Sequence, residues 1–315
     1  MSNELNDVCD LLNIEVPIFL GGMAHVSRAR LVAAVSEAGG LGIIASAGLT
    51  PASLEEEIHK VKELTDKPFG VNLMLMESDV EEKASVSMKE EVDAVTTGAG
   101  NPAKVIKKLD KRGIPVFPVV PAVALARRVQ RQGAAGVIAE GTEAGGHVGE
   151  VTTMVLVPAI VDEVDIPVIA AGGIADGRGM AAAFALGAKG VQIGTRFAAS
   201  AESPIHPNFK ATILEANERS TTVTGKSLGA PVRAIANEMT KEFSKLEDQD
   251  ASREELENVA SGGLKRAVEE GDCESGSLMA GQAASLVHEE ETVEDIIERI
   301  MAQFNDVYAH PPLHR

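Results

Sequence analysis

His147 stands in the run Gly141-Thr142-Glu143-Ala144-Gly145-Gly146-His147-Val148-Gly149. An imidazole titrates near neutrality, so it can give or take a proton, or hydrogen-bond growing oxyanion charge, in a transition state. The surrounding glycines place it on an irregular loop rather than an apolar face. A loop histidine that only bonds backbone is the plainer alternative. Two more glycine turns follow apolar runs: Gly172-Gly173 after residues 166–171, and Gly194-Thr195 after residues 191–193. Glycine lets backbone amides come close to a ligand, and amides at such turns are where barrels bind phosphate. The plainer alternative is that these glycines only make tight turns. The combined expectation is a phosphate cradle with a proton-handling histidine beside it.

Positioning these residues takes a scaffold whose strand ends share one rim. Apolar runs and helical patterns alternate along the chain, the rhythm of βα units around a parallel sheet. Eight strands are expected, at 17–20, 41–45, 69–73, 94–96, 115–119, 136–139, 167–170 and 190–193. Helices are expected between them at 28–38, 51–64, 80–90, 102–111, 123–132, 153–164 and 177–186. Eight parallel strands argue for a closed TIM (β/α)8 barrel over residues 1–200, an open doubly wound sheet being the competing architecture. Residues 201–271 turn polar and helical with no further clear strand, and read as an inserted lid. Residues 272–315 return to the barrel as a closing helix carrying Ala283, Leu286, Val287, Ile296, Ile297 and Ile300 on an amphipathic pattern.

The 315 residues suffice for one barrel of about 250 residues plus an insertion. The start, Met1-Ser2-Asn3-Glu4, has no basic segment before an apolar core, and no apolar run approaches the roughly 18 residues of a membrane span. A cytoplasmic protein without membrane contact is expected. Cys9 and Cys273 form no metal-like or redox-like pair, which fits a reducing compartment. The net charge is −18, and residues 238–306 hold 19 acidic against 6 basic groups. With no Trp and one Tyr, neither a basic surface nor an aromatic platform suits nucleic acid.

Other motifs match formally and fail on context. Gly98-Ala99-Gly100-Asn101-Pro102-Ala103 fits the dinucleotide fingerprint, but the acidic residue expected about 20 positions later is absent from Pro118-Val119-Val120-Pro121. Gly225-Lys226-Ser227-Leu228-Gly229 fits a hydrolase elbow, yet residues 219–224 are too polar for the buried strand that must precede it. His25, His59, His206 and His288 are scattered without metal-ligand spacing, and no metal site is expected. Glu140 and Glu143 could touch a cation near the ligand.

Gly21-Gly22-Met23-Ala24, Gly70-Val71-Asn72, Thr96 to Pro102, Glu143 to His147 and Gln192-Ile193-Gly194-Thr195-Arg196 together resemble the flavin-dependent enoyl-acyl-carrier-protein reductase II family, within the nitronate monooxygenase-like superfamily. The resemblance continues through His206 to Lys210 and Ser277 to Gln282, so it covers nearly the whole chain. It implies an FMN barrel in which NADH or NADPH reduces the flavin, which passes hydride to the β-carbon of a 2-enoyl thioester in fatty acid synthesis. Gly22, Met23, Asn72, Glu140, Gly145, Gly172, Gly173, Gln192, Gly194 and Thr195 would surround FMN, with Gly173, Gly194 and Thr195 nearest its phosphate. Met279 and Gln282 would approach from the closing segment, and His147 would stand by the substrate. A nitronate monooxygenase, with His147 as the base, is the alternative that the shared motifs imply.

Two positions depart from the family pattern: His25 where an aromatic residue is common, and Ala230 beside Pro231 where a lid histidine is expected. Both bear on nicotinamide and acyl-chain contacts. The implied partner is an acyl carrier protein or CoA thioester, and a homodimer is the assembly considered. Lys104, Lys107, Lys108, Lys111, Arg112, Arg127, Arg128 and Arg131 fall on two successive barrel helices and suggest a docking face for an acidic carrier.

Overall fold

The apolar runs fold as strands buried on both faces, the state that unbroken hydrophobicity calls for in a parallel sheet. In the computed structural model, which describes residues 6–310, the strands are β1 (Ile18–Leu20), β2 (Gly42–Ala45), β3 (Phe69–Met74), β4 (Ala94–Gly98), β5 (Val116–Val120), β6 (Val137–Glu140), β7 (Gly146–His147), β8 (Val168–Ala171), β9 (Gly190–Ile193), β10 (Thr221–Thr224) and β11 (Val232–Ile235). The helices are α1 (Asn6–Leu12), α2 (Ala29–Glu37), α3 (Pro51–Leu64), α4 (Val80–Lys89), α5 (Ala103–Leu109), α6 (Val123–Arg131), α7 (Thr153–Val161), α8 (Gly177–Ala185), α9 (Thr195–Ala198), α10 (Pro207–Leu214), α11 (Glu238–Asp248), α12 (Arg253–Ala260), α13 (Gly263–Lys265) and α14 (Val293–Ala309).

Eight strands pair in parallel in the order β1-β9-β8-β6-β5-β4-β3-β2. The two ends of this sheet meet, because Phe19 bridges Leu41 and the Leu41 amide donates to the Ile18 carbonyl at 2.9 Å. That contact closes a TIM barrel. Phe19 and Phe117, from opposite walls, meet edge to face at 5.6 Å and fill the interior. Closure settles the Gly98 loop as well: it joins β4 to α5 as one rim loop of the barrel.

Local signals set the helix starts. Thr50 caps α3 through the Ser53 amide with Pro51 in the first turn, and Asp176 caps α8 through the amides of Arg178 and Gly179. Helix α14 lays Ile296, Ile297, Ile300 and Phe304 against the barrel, with Phe304 meeting Phe184 of α8 at 5.0 Å. A Cβ at Gly177 would lie 2.3 Å from the Ile300 carbonyl oxygen, so this helix pair needs glycine there. The nearly buried pair of Arg196 with Glu291 ties the exit of β9 to the segment before α14.

The segment after the last barrel strand departs from its sequence reading in two ways. It is not only helical: β10 and β11 form an antiparallel hairpin, and β11 also pairs with β7. The Thr221–Thr224 strand is polar because three of its four residues are only part-buried, and β-branched threonine suits such a half-exposed strand. The chain turns at residues 225–229 into an antiparallel strand instead of a helix, so the elbow motif fails on topology. The lid has its own apolar cluster of Met239, Phe243 and Leu256. The closing helix begins only at Val293, where Thr292 caps it through the Asp295 amide. Residues 282–286 form a 3-10 turn that buries Ala283 and leaves Leu286 45% exposed. No helix among the described residues is long and apolar enough to cross a membrane.

Glycines at packing contacts should answer to space alone. A Cβ at Gly42 would lie 2.1 Å from the Val32 carbonyl oxygen, whereas one at Gly98 would meet nothing within 4 Å. Gly42→Ala is expected to cost about 2–3 kcal/mol of unfolding free energy by overpacking, with Gly98→Ala near neutral, as read by denaturant unfolding of the two variants.

Candidate active site

Register fixes the site before any side chain does. Glu140 on β6 lies opposite Ala171 on β8, and Ala171 opposite Gln192 on β9. The loops after these three strands therefore leave the barrel at one height, at the C-terminal rim. Gly172 and Gly173 take φ of +98° and +75°, the left-handed region that glycine enters without strain. A Cβ at Gly172 would lie 2.9 Å from the Gly141 carbonyl oxygen, and one at Gly173 would point at the Glu143 side chain from 3.4 Å. Across the rim, a Cβ at Gly194 would sit 3.4 Å from the Met23 sulfur, and one at Gly22 would sit 2.5 Å from Cβ of Asn72. Asn72 is nearly buried and donates to Thr96 Oγ1 at 2.8 Å. Ser27 Oγ pins the Gly21–Met23 turn, donating to the Gly21 carbonyl at 2.7 Å and accepting from the Met23 amide at 3.1 Å.

The two acidic residues of the site differ in state. Glu140 keeps partial solvent exposure at the end of β6, yet protein encloses it closely enough that desolvation pushes its carboxyl up to about 7. Glu143 is committed to structure: its two carboxylate oxygens accept from the Thr153 amide at 3.0 and 2.9 Å, and Oε2 also accepts from Thr153 Oγ1 at 3.0 Å. It thus caps the start of α7, where a negative charge is favoured.

His147 lies on a two-residue strand rather than an irregular loop, pairing with Val232 of the lid. Its side chain is exposed, and among the described residues no protein group hydrogen-bonds its ring. The backbone-bound alternative is thereby set aside. The closing segment is clipped over the same rim: the Gly281 amide donates to Thr195 Oγ1 at 2.9 Å, and the Gln282 amide to the Glu143 carbonyl at 2.9 Å. A Cβ at Gly145 would lie 2.7 Å from the Ala280 carbonyl carbon, so this approach requires glycine. The Met279 sulfur lies 3.7 Å from the Cβ position of Gly146. The expected residues thus gather at one rim, although the Gln282 side chain is exposed and its backbone makes the contact.

Sequence reasoning missed Ser27, Thr153 and Arg233. A glutamate in a glycine loop ahead of a helix that begins with threonine was a usable signal for Thr153; nothing local marks Arg233. The departing His25 has φ of +63°, and its Nδ1 sits 3.2 Å from Glu269 Oε1, bridging the β1 loop to the lid. Ala230 is exposed in the hairpin turn. The basic helices split by chain direction. Lys104, in the first turn of α5, pairs with Glu81, whereas Lys111 and Arg112, in the 3-10 turn after α5, and Arg131, at the end of α6, lie near the starts of β5 and β6, away from the rim. One group among the described residues brings metal-ligating atoms together, Glu55, His59 and Glu90 on the helix layer. Lys89 and Lys62 already pair with its carboxylates. Cys9 is buried, which pushes its thiol up to about 11 and away from nucleophilic use.

The Glu140 shift has a stability signature. Its folded pKa, about 7, lies above the ordinary value of 4.5. Between those values the folded state holds a proton that the unfolded state has lost, so stability falls as pH rises through that window and then levels. Glu140→Gln should flatten this fall, which denaturant unfolding of the ligand-free protein at pH 5 and pH 8 would read.

With the geometry established, the chain can be set beside known proteins. The family model described as nitronate monooxygenase matches it in two overlapping stretches, residues 6–94 and 79–303. The structure of FabK from Thermotoga maritima superposes with a TM-score of 0.94 at 51% identity, covering 96% of each chain. A probable nitronate monooxygenase of Staphylococcus saprophyticus is 34% identical over 95% of this chain and 98% of its own length. A hydroxy-methyl-oxo-octahydroindene-carboxyl-CoA dehydrogenase of Rhodococcus jostii is 41% identical over 76% of this chain and 68% of its own. With the family model covering nearly all of the described barrel and lid, the chain belongs to the nitronate monooxygenase family, a family of oxidoreductases built here on an eight-stranded barrel.

Proposed function

We propose that this protein is an FMN-dependent enoyl reductase that uses NADH or NADPH to reduce 2-enoyl thioesters in fatty acid synthesis. The observation that carries the reading is the 51% identity to FabK across 96% of both chains, beside the motifs that resemble the enoyl-acyl-carrier-protein reductase II family. The rim residues fit a flavin phosphate: Gly172 and Gly173 hold left-handed backbone shapes that other residues resist, and a Cβ at Gly173 or Gly194 would meet only side chains, from 3.4 Å. Glu140 fits a polar cofactor edge, since a carboxyl raised to about 7 by burial gains from any hydrogen-bond partner. When bound, FMN supplies hydride transfer from a reduced nicotinamide to the β-carbon of the enoyl thioester.

The chain's own part is to place charge and protons. Hydride addition builds enolate charge on the thioester oxygen and leaves the α-carbon needing a proton. His147, exposed and with no protein group on its ring, is the group we assign to that oxygen or that proton. Gly173, Gly194 and Thr195 would hold the phosphate, Gly22, Met23, Asn72, Gly145 and Gln192 would border the flavin, and Met279 would cover it from the closing segment. The thioester is carried on acyl carrier protein or CoA, the latter supported by the relative named as a carboxyl-CoA dehydrogenase. For the carrier, Lys104, Lys107 and Lys108 of α5 with Arg127 and Arg128 of α6 are the basic docking face of this reading. The reading extends to a cytoplasmic homodimer, for which Val151, Met154 and Val155 leave apolar surface exposed around the start of α7.

Oxidation of alkyl nitronates with O2 is the second reading, favoured by the family model and the Staphylococcus relative. There His147 would act as the base that takes the α-carbon proton from a neutral nitroalkane, giving the nitronate that is then oxidised. Anaerobic flavin absorbance separates the two. The flavin bands should bleach with NADH or NADPH and recover on adding crotonyl-CoA. Bleaching by an alkyl nitronate but by neither nicotinamide would replace the first reading with the second. His147→Ala should keep the flavin and its bleaching while slowing recovery by about 10²-fold or more, the usual share of a positioned acid or hydrogen-bond donor.

A further inference from the structure

We propose that Arg233 is a positioning residue through which the lid holds His147 at the flavin rim; the catalytic part of this inference rests on the enoyl reductase reading. Arg233 lies on β11 directly opposite Gly146 and is 8% exposed. Its Nε donates to the Thr142 carbonyl at 3.0 Å and its Nη1 to Thr221 Oγ1 at 3.0 Å. Glu143 supplies the opposing charge nearby. The guanidinium therefore spans the boundary: Thr221 belongs to the lid, while Thr142 and Glu143 belong to the loop that ends in His147.

The rest of β11 extends the same function. Beside its first residue, the Val148 amide donates to the Pro231 carbonyl at 3.0 Å; at its last, the Ile235 amide donates to the Leu278 carbonyl at 2.9 Å. One edge of this lid strand thus carries both His147, at its start, and the Leu278–Met279 segment, at its end, while β10 takes the other edge. A two-residue strand such as β7 has too few ladder bonds to hold its own place. Burying a guanidinium is costly unless its donors and charge are met, and here the loop that must be fixed meets Nε and the charge, while the lid's Thr221 meets Nη1. A lysine could not reach both acceptors, because its ammonium lacks the planar fork.

The test uses the full-length protein with FMN bound, comparing Arg233→Gln, Arg233→Lys, His147→Ala and the Arg233→Gln/His147→Ala double variant. Hydrogen exchange of residues 142–148 should speed up about tenfold or more in Arg233→Gln, with residues 166–174 unchanged and FMN retained. Recovery of the reduced flavin with crotonyl-CoA should slow in kcat rather than KM, with Arg233→Lys falling between. The double variant should be no slower than His147→Ala alone, since Arg233 acts through that residue. Unchanged exchange at 142–148, or slowing that multiplies with that of His147→Ala, would overturn the proposal. If Arg233→Gln does not fold, Arg233→Lys carries both readouts, and the same outcomes support or overturn the proposal. If the wild type shows no recovery with crotonyl-CoA, the enoyl reductase reading fails, while the exchange result still decides the placement of the His147 loop.

Discussion

The rest of the molecule depends on the parallel register of β6, β8 and β9, which sets Glu140, Ala171 and Gln192 side by side. Hydrogen bonding allows these strands no independent sliding, so the loops that follow them must leave the barrel together. That shared height lets the Gly172-Gly173 turn touch the Gly141–Ala144 loop, and lets Thr195 catch the Gly281 amide. A slip of one residue in β8 would turn its side chains to the opposite face and break each of these contacts.

Glu143 shows how one residue can carry several of these constraints. Its carboxylate caps α7 through Thr153, its carbonyl receives the Gln282 amide, and its side chain lies under the Cβ position of Gly173. Glu140, only three residues earlier, is left with its carboxyl raised by burial. Two glutamates in one loop region thus divide into a structural anchor and a group available to a ligand. What separates them is the helix start at Thr153, which meets the charge of one and not the other.

Charge elsewhere serves placement more than stability. Lys83 is nearly buried and paired with Glu77 and Asp79, and Glu77 also accepts from the Gly48 amide at 3.0 Å, joining two rim loops. Arg196 with Glu291 similarly joins the exit of β9 to the closing segment. Buried pairs of this kind gain little net energy over apolar packing, but removing one partner leaves an unmet charge. They hold together rim segments that are far apart in sequence, which matters for a site assembled from loops.

The barrel was legible in the sequence because buried parallel strands must be continuously apolar, and the glycine turns were legible because backbone close to a ligand tolerates no side chain. The Gly172, Gly173 and Gly194 turns could be picked out on those grounds, His147 by an imidazole set among glycines, and Glu140 by the family resemblance. The lid hairpin was not, since Thr221–Thr224 is half-exposed and lacks the apolar signal of a strand. Nor was the division between Glu140 and Glu143, which depends on where α7 begins. Arg233 was hidden for the same reason. Its role comes from lying opposite Gly146 across a ladder joining residues nearly 90 positions apart, and pairing over that distance leaves no local pattern to read. Local composition thus determined which stretches could be strands, turns or reactive loops, while tertiary pairing alone decided which of them meet.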